Sequence, residues 1–283
     1  MTLLNELNFT PDGFMSIKAV LSILILLGCV SSLKAETVSE SGLIQLRDVT
    51  VYMQRMLKST DGRYLLDIYS GVWNPHGTLF NLENGRAVSF EGFQKGNSIE
   101  MKSFNPELGD AAKGMYSLSG DLNAQSGEMS ALFSQRDGVS ENISFKPMVQ
   151  VSERPAFVFK LYGYWDDKAY KHYIKRIDVQ DKRTGQTVQQ LDGFSAFAYG
   201  INYKDMNFDG YFDLVLDDAS EGKRLEDNYQ IYWMYNPQTK KFQRSPQLEK
   251  IKGSAHLDGV NRQVSFGNGQ NYQVEKGLFK RIQ

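Results

Sequence analysis

A chain of 283 residues with 41% hydrophobic and 12% aromatic content is long enough to bury one large core or two smaller ones. Its formal net charge is −1, and no basic stripe is present to neutralise phosphates, which argues against a nucleic-acid partner. Cys29 is the single cysteine, so no disulfide can form within the chain.

The chain opens on a targeting pattern. Lys18 precedes an apolar run from Ala19 to Leu27, too short to span a bilayer and shaped like the core of a signal segment over residues 1–35, with Met15 as an alternative start. Two exits compete. Leu26-Leu27-Gly28-Cys29 resembles the lipobox of bacterial lipoproteins, which would make Cys29 a lipid anchor. Leu33-Lys34-Ala35 before Glu36 fits an ordinary signal-peptidase site. Either exit implies a periplasmic protein. A bound ion that favours the folded state would replace part of the missing covalent staple.

Residues 36–63 form a lead whose pattern is divided. Leu46, Val49, Met53, Met56 and Leu57 share a helix face, and Val49, Val51 and Met53 alternate as in a strand; the longer pattern favours helix. From residue 64 the signals are β. Thr78–Glu83, Asn84-Gly85 and Arg86–Phe90 spell a hairpin with a two-residue turn. Further short strands follow at 99–101, 116–120, 129–133 and 139–145. Pro147 and Pro155 bracket a boundary between a β half at 64–152 and a second at 153–283.

In the second half, Ala156–Tyr162 leads into an aromatic stretch of Tyr164, Trp165, Tyr170, His172 and Tyr173. Ile174–Val179 is expected to pair with Thr187–Leu191 across Lys182-Arg183-Thr184-Gly185. Tyr229–Tyr235 is the strongest strand, and Asn236-Pro237 opens the next turn. Arg262–Phe266, the Gly267–Gly269 turn, Tyr272–Val274 and Leu278-Phe279 close the chain. Many short strands at regular spacing imply an all-β fold, and without a strict repeat the sandwich, barrel and propeller are all open.

Residues Asp205–Asp213 carry the sharpest motif: Asp-Met-Asn-Phe-Asp-Gly-Tyr-Phe-Asp. Oxygen side chains fall at loop positions one, three, five and nine, with glycine at six. A hard cation takes six to eight oxygens, and a tight loop supplies them from alternate side chains plus a carbonyl. Calcium is the expected cofactor, in a structural role, with Asp205, Asn207, Asp209 and Asp213 as side-chain ligands and Tyr211 as the carbonyl donor. Position twelve is Leu216 rather than a bidentate Glu, and the flanks have strand rather than helix period. The loop therefore joins two strands, and it resembles the calcium loops of integrin-type β-propeller repeats. The bland alternative is an acidic, glycine-containing turn.

The second half as a whole resembles the calcium-binding periplasmic immunity proteins of bacteria armed with a bacteria-killing type IV secretion system. The resemblance rests on Ile177-Asp-Val with Thr184-Gly185, on Asp205–Leu214, on Tyr232-Trp-Met-Tyr-Asn-Pro-Gln-Thr-Lys-Lys-Phe242, on Ser245-Pro-Gln-Leu248, and on Tyr272 after a glycine-bearing turn. It covers about residues 156–283, and the hairpins at 85–145 match less specifically. It implies a β-propeller-like architecture (a β-sandwich is the alternative), calcium in this loop, and a partner that is a peptidoglycan hydrolase toxin, which the protein blocks.

Catalytic signals are thin. His76, His172 and His256 are far apart in sequence and lie in no zinc or nucleophile spacing. Asp217 and Asp218 are neighbours on a strand and point to opposite faces, so they are expected to extend an acidic surface with Glu221 rather than flank a glycosidic bond. A non-enzyme is expected. Trp165 and Tyr170 are the candidate partner-binding residues, because Trp and Tyr dominate binding hot spots; the competing reading packs their rings on the core. A calcium-stabilised envelope module that binds protein or glycan and inhibits nothing is the alternative function.

Overall fold

The computed structural model describes residues 42–72, 74–104, 113–168 and 170–282. The signal pattern and Cys29 lie outside the described residues. The described chain is all-β.

Eight strands close into an antiparallel barrel. They are β2 (Val51–Ser59) followed, after β1 (Ile44–Leu46), by β3 (Tyr64–Ser70), β4 (His76–Asn81), β5 (Ala87–Lys95), β6 (Ser98–Ser103), β7 (Tyr116–Leu122), β8 (Met129–Gln135) and β9 (Ser140–Pro147). Each pairs with the next, and β9 returns to β2 through Leu57↔Pro147 and Ser59↔Phe145. Alternation sends Leu57, Leu66, Ile68, Phe90, Ile99, Leu118 and Phe145 inward, where all are buried. Each such side chain contributes roughly 2 kcal/mol relative to exposure. Gly77, Gly92 and Gly120 lie where a Cβ would strike the backbone of the adjoining stave, at 1.9 Å from the Glu100 carbonyl in the case of Gly92. Side chains there would hold the staves apart; their absence lets a small barrel curl shut.

The second half is built from β10 (Phe157–Asp166), β11 (Lys171–Asp181), β12 (Thr187–Leu191), β13 (Ala196–Lys204), β14 (Asp213–Asp218), β15 (Gln230–Asn236) and β16 (Lys241–Arg244). β1 adds to the edge of β10, and β13 runs parallel to the first residues of β2, so one continuous sheet joins the halves. Strands β12 and β16 meet through side chains instead of a ladder, and Lys241 donates to the Val188 carbonyl. The Gln189 amide donates to the Phe242 carbonyl at 2.8 Å and accepts from the Phe242 N–H at 2.8 Å. A core of Leu161, Ile174, Ile177, Tyr203, Leu214, Trp233 and Phe242 fills the space between.

A four-stranded meander, β17 (His256–Asp258), β18 (Gln263–Ser265), β19 (Asn271–Glu275) and β20 (Leu278–Ile282), ends the chain. It buries Val264, Phe266 and Val274 with Val215, Tyr232, Met206 and Phe208 in a third core. The sheet order defines a closed barrel with strands appended; neither a propeller nor a sandwich is specifically defined by it.

Three expectations need correction. Residues 51–59 are a strand, not a helix. β2 is hydrogen-bonded to β3, β9 and β13 in turn, and its outer face is also covered, with Met56 packed near Gly259 and Leu65. Apolar residues on both faces blur the period-two signal, and non-local pairing overrides the helical spacing. The β4–β5 turn is longer than two residues: pairing stops at Phe80↔Ala87, and Asn81 Oδ1 accepts the N–H groups of Glu83 and Asn84. Asp218 is not surface; it is buried and paired with Lys223 at 2.8 Å. Burial alone would raise its carboxyl, but the bonds from Lys223 and Ser220 hold it below the ordinary range.

Candidate metal centre

The Asp205–Asp213 loop joins β13 to β14, with Lys204 paired to Asp213 at its base. Its side chains divide by parity. Met206 and Phe208 enter the third core, while Asp205, Asn207 and Asp209 hold the oxygens. Gly210 sits at φ +91, and a Cβ there would lie 2.6 Å from Val151 Cγ1 and 3.0 Å from Val149 Cγ1. The glycine is thus required by conformation and by the segment packed over it. Phe208 also takes a positive φ of 55, held by burial and by Arg262, whose Nη2 donates to its carbonyl at 3.2 Å.

The four oxygen side chains bind the loop's own backbone. Asp205 accepts the N–H groups of Asp209 at 3.0 Å and Gly210 at 2.8 Å. Asp209 accepts the N–H of Tyr211 at 2.8 Å and an N–H of the Asn207 side chain at 3.0 Å. Asp213 is fully buried, and it accepts from Met206 at 2.9 Å and from Tyr235, on β15, at 2.8 Å. Each carboxylate oxygen retains a second lone pair, so these bonds orient the acids without exhausting them.

The charge balance is poor. Burial pushes the Asp205 carboxyl up to about 7, and the charge of Asp209 adds to the rise. Burial raises Asp209 too, and it lifts Asp213 well above the ordinary range, with Asp205 and Asp209 adding. Arg154 is the near cation. Its Nε donates to the Gly210 carbonyl at 2.8 Å and its guanidinium lies 4.9 Å from the Phe212 ring centroid, but it makes no ion pair among the described residues. Three acids with only hard oxygen donors around them form a set chemically suited to calcium. Among the described residues, however, no three His, Cys, Asp or Glu side chains converge into a metal-holding group. A cation would have to draw Asp205, Asp209 and Asp213 closer together.

Comparison with family models, curated proteins and solved structures finds no match. The site therefore speaks only through its own residues.

The other candidates lie elsewhere. Trp165 and Tyr170 stand at the tip of the β10–β11 hairpin, 43% and 79% exposed. Their rings meet edge to face at 6.5 Å, and Trp165 packs on His172, its cross-strand partner, at 4.7 Å. Neither ring belongs to a core cluster. From the opposite face of the hairpin a second aromatic row runs onto β13, Tyr164–Tyr173–Phe197–Tyr199, with successive centroids 5.5 to 6.0 Å apart. Tyr199 was legible only as a strand residue; nothing in the linear pattern places it beside Tyr173. Arg154 and Arg262 were missed for the same reason, since each reaches the loop from a segment more than fifty residues away.

Proposed function

We propose that the protein is an exported, calcium-stabilised binding protein of the immunity type, which grips a peptidoglycan hydrolase and stops it acting. The observation that carries this reading is the exposed Trp165–Tyr170–His172 cluster, mounted on a long hairpin of a rigid sheet. Rigid aromatic anchors on a protruding element suit an enzyme cleft, because little side-chain entropy is lost on docking. The loop acids suit calcium as a structural ion that binds the base of this half. The four-stranded β17–β20 meander is the part on which a propeller-like relationship would rest. The protein itself performs no hydrolysis in this reading.

The test is capture from a bacterial envelope followed by a peptidoglycan-clearing assay with the captured hydrolase. A one-to-one complex that suppresses lysis is expected. Trp165→Ala or Tyr170→Ala should weaken it by roughly 2 kcal/mol or more with the melting temperature unchanged. Tight binding with lysis intact would favour a binding module of the envelope instead. Muropeptide release by the purified protein alone would refute the non-enzyme part.

A further inference from the structure

The barrel has two unlike ends. One faces the Asp205–Asp213 loop. The other carries the β4–β5 and β8–β9 turns, and among the described residues it holds a cavity of about 140 Å³. A cavity of this size holds a single six-membered ring: about 150 Å³ accommodates benzene. Barrel mouths are a recurrent place for small ligands.

The walls are apolar. Leu79 and Tyr64 belong to the barrel core, and Val88, Tyr116 and Phe133 pack against it. Tyr116 and Phe133 lie nearly parallel, 5.6 Å apart and 8° inclined.

The rim is polar and one-sided. Asn81, Asn84, Arg86 and Gln135 complete the lining. Asn81 spends its carbonyl oxygen on the N–H groups of Glu83 and Asn84, and Asn84 spends its own on the N–H of Arg86. Both amide NH₂ groups are left without a protein partner among the described residues. Arg86 Nη2 donates to the Tyr116 hydroxyl at 2.9 Å, which leaves that hydroxyl's proton to give away. Arg86 forms no ion pair among the described residues, and its remaining N–H groups are uncommitted. The neighbouring acid, Glu141, is occupied by Arg63 and by the Tyr64 hydroxyl. With the asparagine oxygens consumed, the mouth presents mainly donors around one cation. Its complement is an acceptor with negative charge.

We propose that the barrel mouth is a binding site for a small ring-bearing carboxylate, with the ring against Leu79, Val88 and Phe133 and the carboxylate at Arg86. The site is independent of the Asp205–Asp213 loop and of the β10–β11 hairpin, so it stands or falls apart from the proposed inhibition.

Titration calorimetry of the full chain with benzoate, benzyl alcohol and acetate tests it. Benzoate should bind, and benzyl alcohol and acetate should each bind at least tenfold more weakly. Arg86 is exposed and its side chain holds only Tyr116, so Arg86→Gln should leave the fold intact and bring benzoate down to the level of benzyl alcohol. Val88→Phe should fill the cavity and abolish benzoate binding at an unchanged melting temperature. No benzoate heat up to its solubility limit would overturn the proposal. So would equal binding of benzoate and benzyl alcohol, or benzoate binding that survives both substitutions.

Discussion

The β2–β9 barrel and the loop-bearing β10–β16 half reach a buried core by different routes. In the barrel every neighbouring pair from β2 to β9 is a sequential hairpin, and closure leaves no edge. Its interior is mainly hydrocarbon and aromatic, with Arg55, Ser59, Ser70 and Ser103 also buried on its strands. The second half borrows β1 and β2 from the start of the chain, joins β12 to β16 through the side chains of Gln189 and Lys241, and buries Asp205 and Asp213. The barrel is stabilised by area removed from water. The second half carries charge that burial penalises, and it must offset that charge with backbone amides, Arg154 or a cation. A bound cation would relieve the second half at Asp205, Asp209 and Asp213, where acids crowd together.

That contrast is broken most severely at Asp213. Asp213→Ala would strip the Met206 and Tyr235 amides of their acceptor in a fully buried place. The expected loss is about 3 kcal/mol by denaturant unfolding with calcium present, since each orphaned buried donor costs about 1–3 kcal/mol. Asp213→Asn keeps one carbonyl oxygen and should lose less. Equal losses would mean that charge, rather than hydrogen bonding, is what the site uses. Gly210→Ala comes next. Positive φ and the collision with Val151 should destabilise the protein by roughly 2 kcal/mol, whereas an alanine at Gly85, where nothing lies within 4 Å of the added Cβ, meets only the conformational part.

A pH-dependent effect belongs to an acid that faces Lys204 of the second half. Asp67, on β3, accepts both of its side-chain bonds from Gln54, each at 2.9 Å. Burial raises its carboxyl to about 6, against the pull of Gln54 and Lys204. A carboxyl raised in the folded state binds its proton more tightly than in the unfolded chain. Its contribution is therefore fully present below about pH 4 and is lost as pH rises through about 6. Chemical denaturation across that window should show a fall that Asp67→Asn removes, of about 3 kcal/mol at most. An unchanged pH profile in the variant would assign the fall to other acids.

The turns that were legible in the sequence are those whose residues carry the conformation themselves. Lys182–Gly185 joins Ile177 to Leu191 in register as expected, and the Asp205–Asp213 loop does connect two strands. The Asn236-Pro237 turn and the last hairpins fall where their glycines and prolines put them. Barrel closure was not legible, because the Leu57↔Pro147 contact leaves no local trace in either segment. Residues 51–59 were misleading because both faces of β2 are covered, which erases alternation. The oxygen set was visible at its spacing; the partners that orient it, Tyr235 and Arg154, come from other strands and loops and could not be. The barrel-mouth rim is the extreme case, since its polarity emerges only once the turn has consumed the asparagine oxygens.

The most direct test of a structural ion in the second half is amide hydrogen exchange with and without calcium, on the natural chain and on Asp209→Ala. Calcium should slow exchange at Met206, Asp209, Gly210, Tyr211 and Tyr235, and leave the barrel strands β4–β8 as they were. Asp209→Ala should erase the slowing. Protection that spreads evenly through the barrel, or none at millimolar calcium, would contradict the assignment of Asp205–Asp213 as a calcium loop.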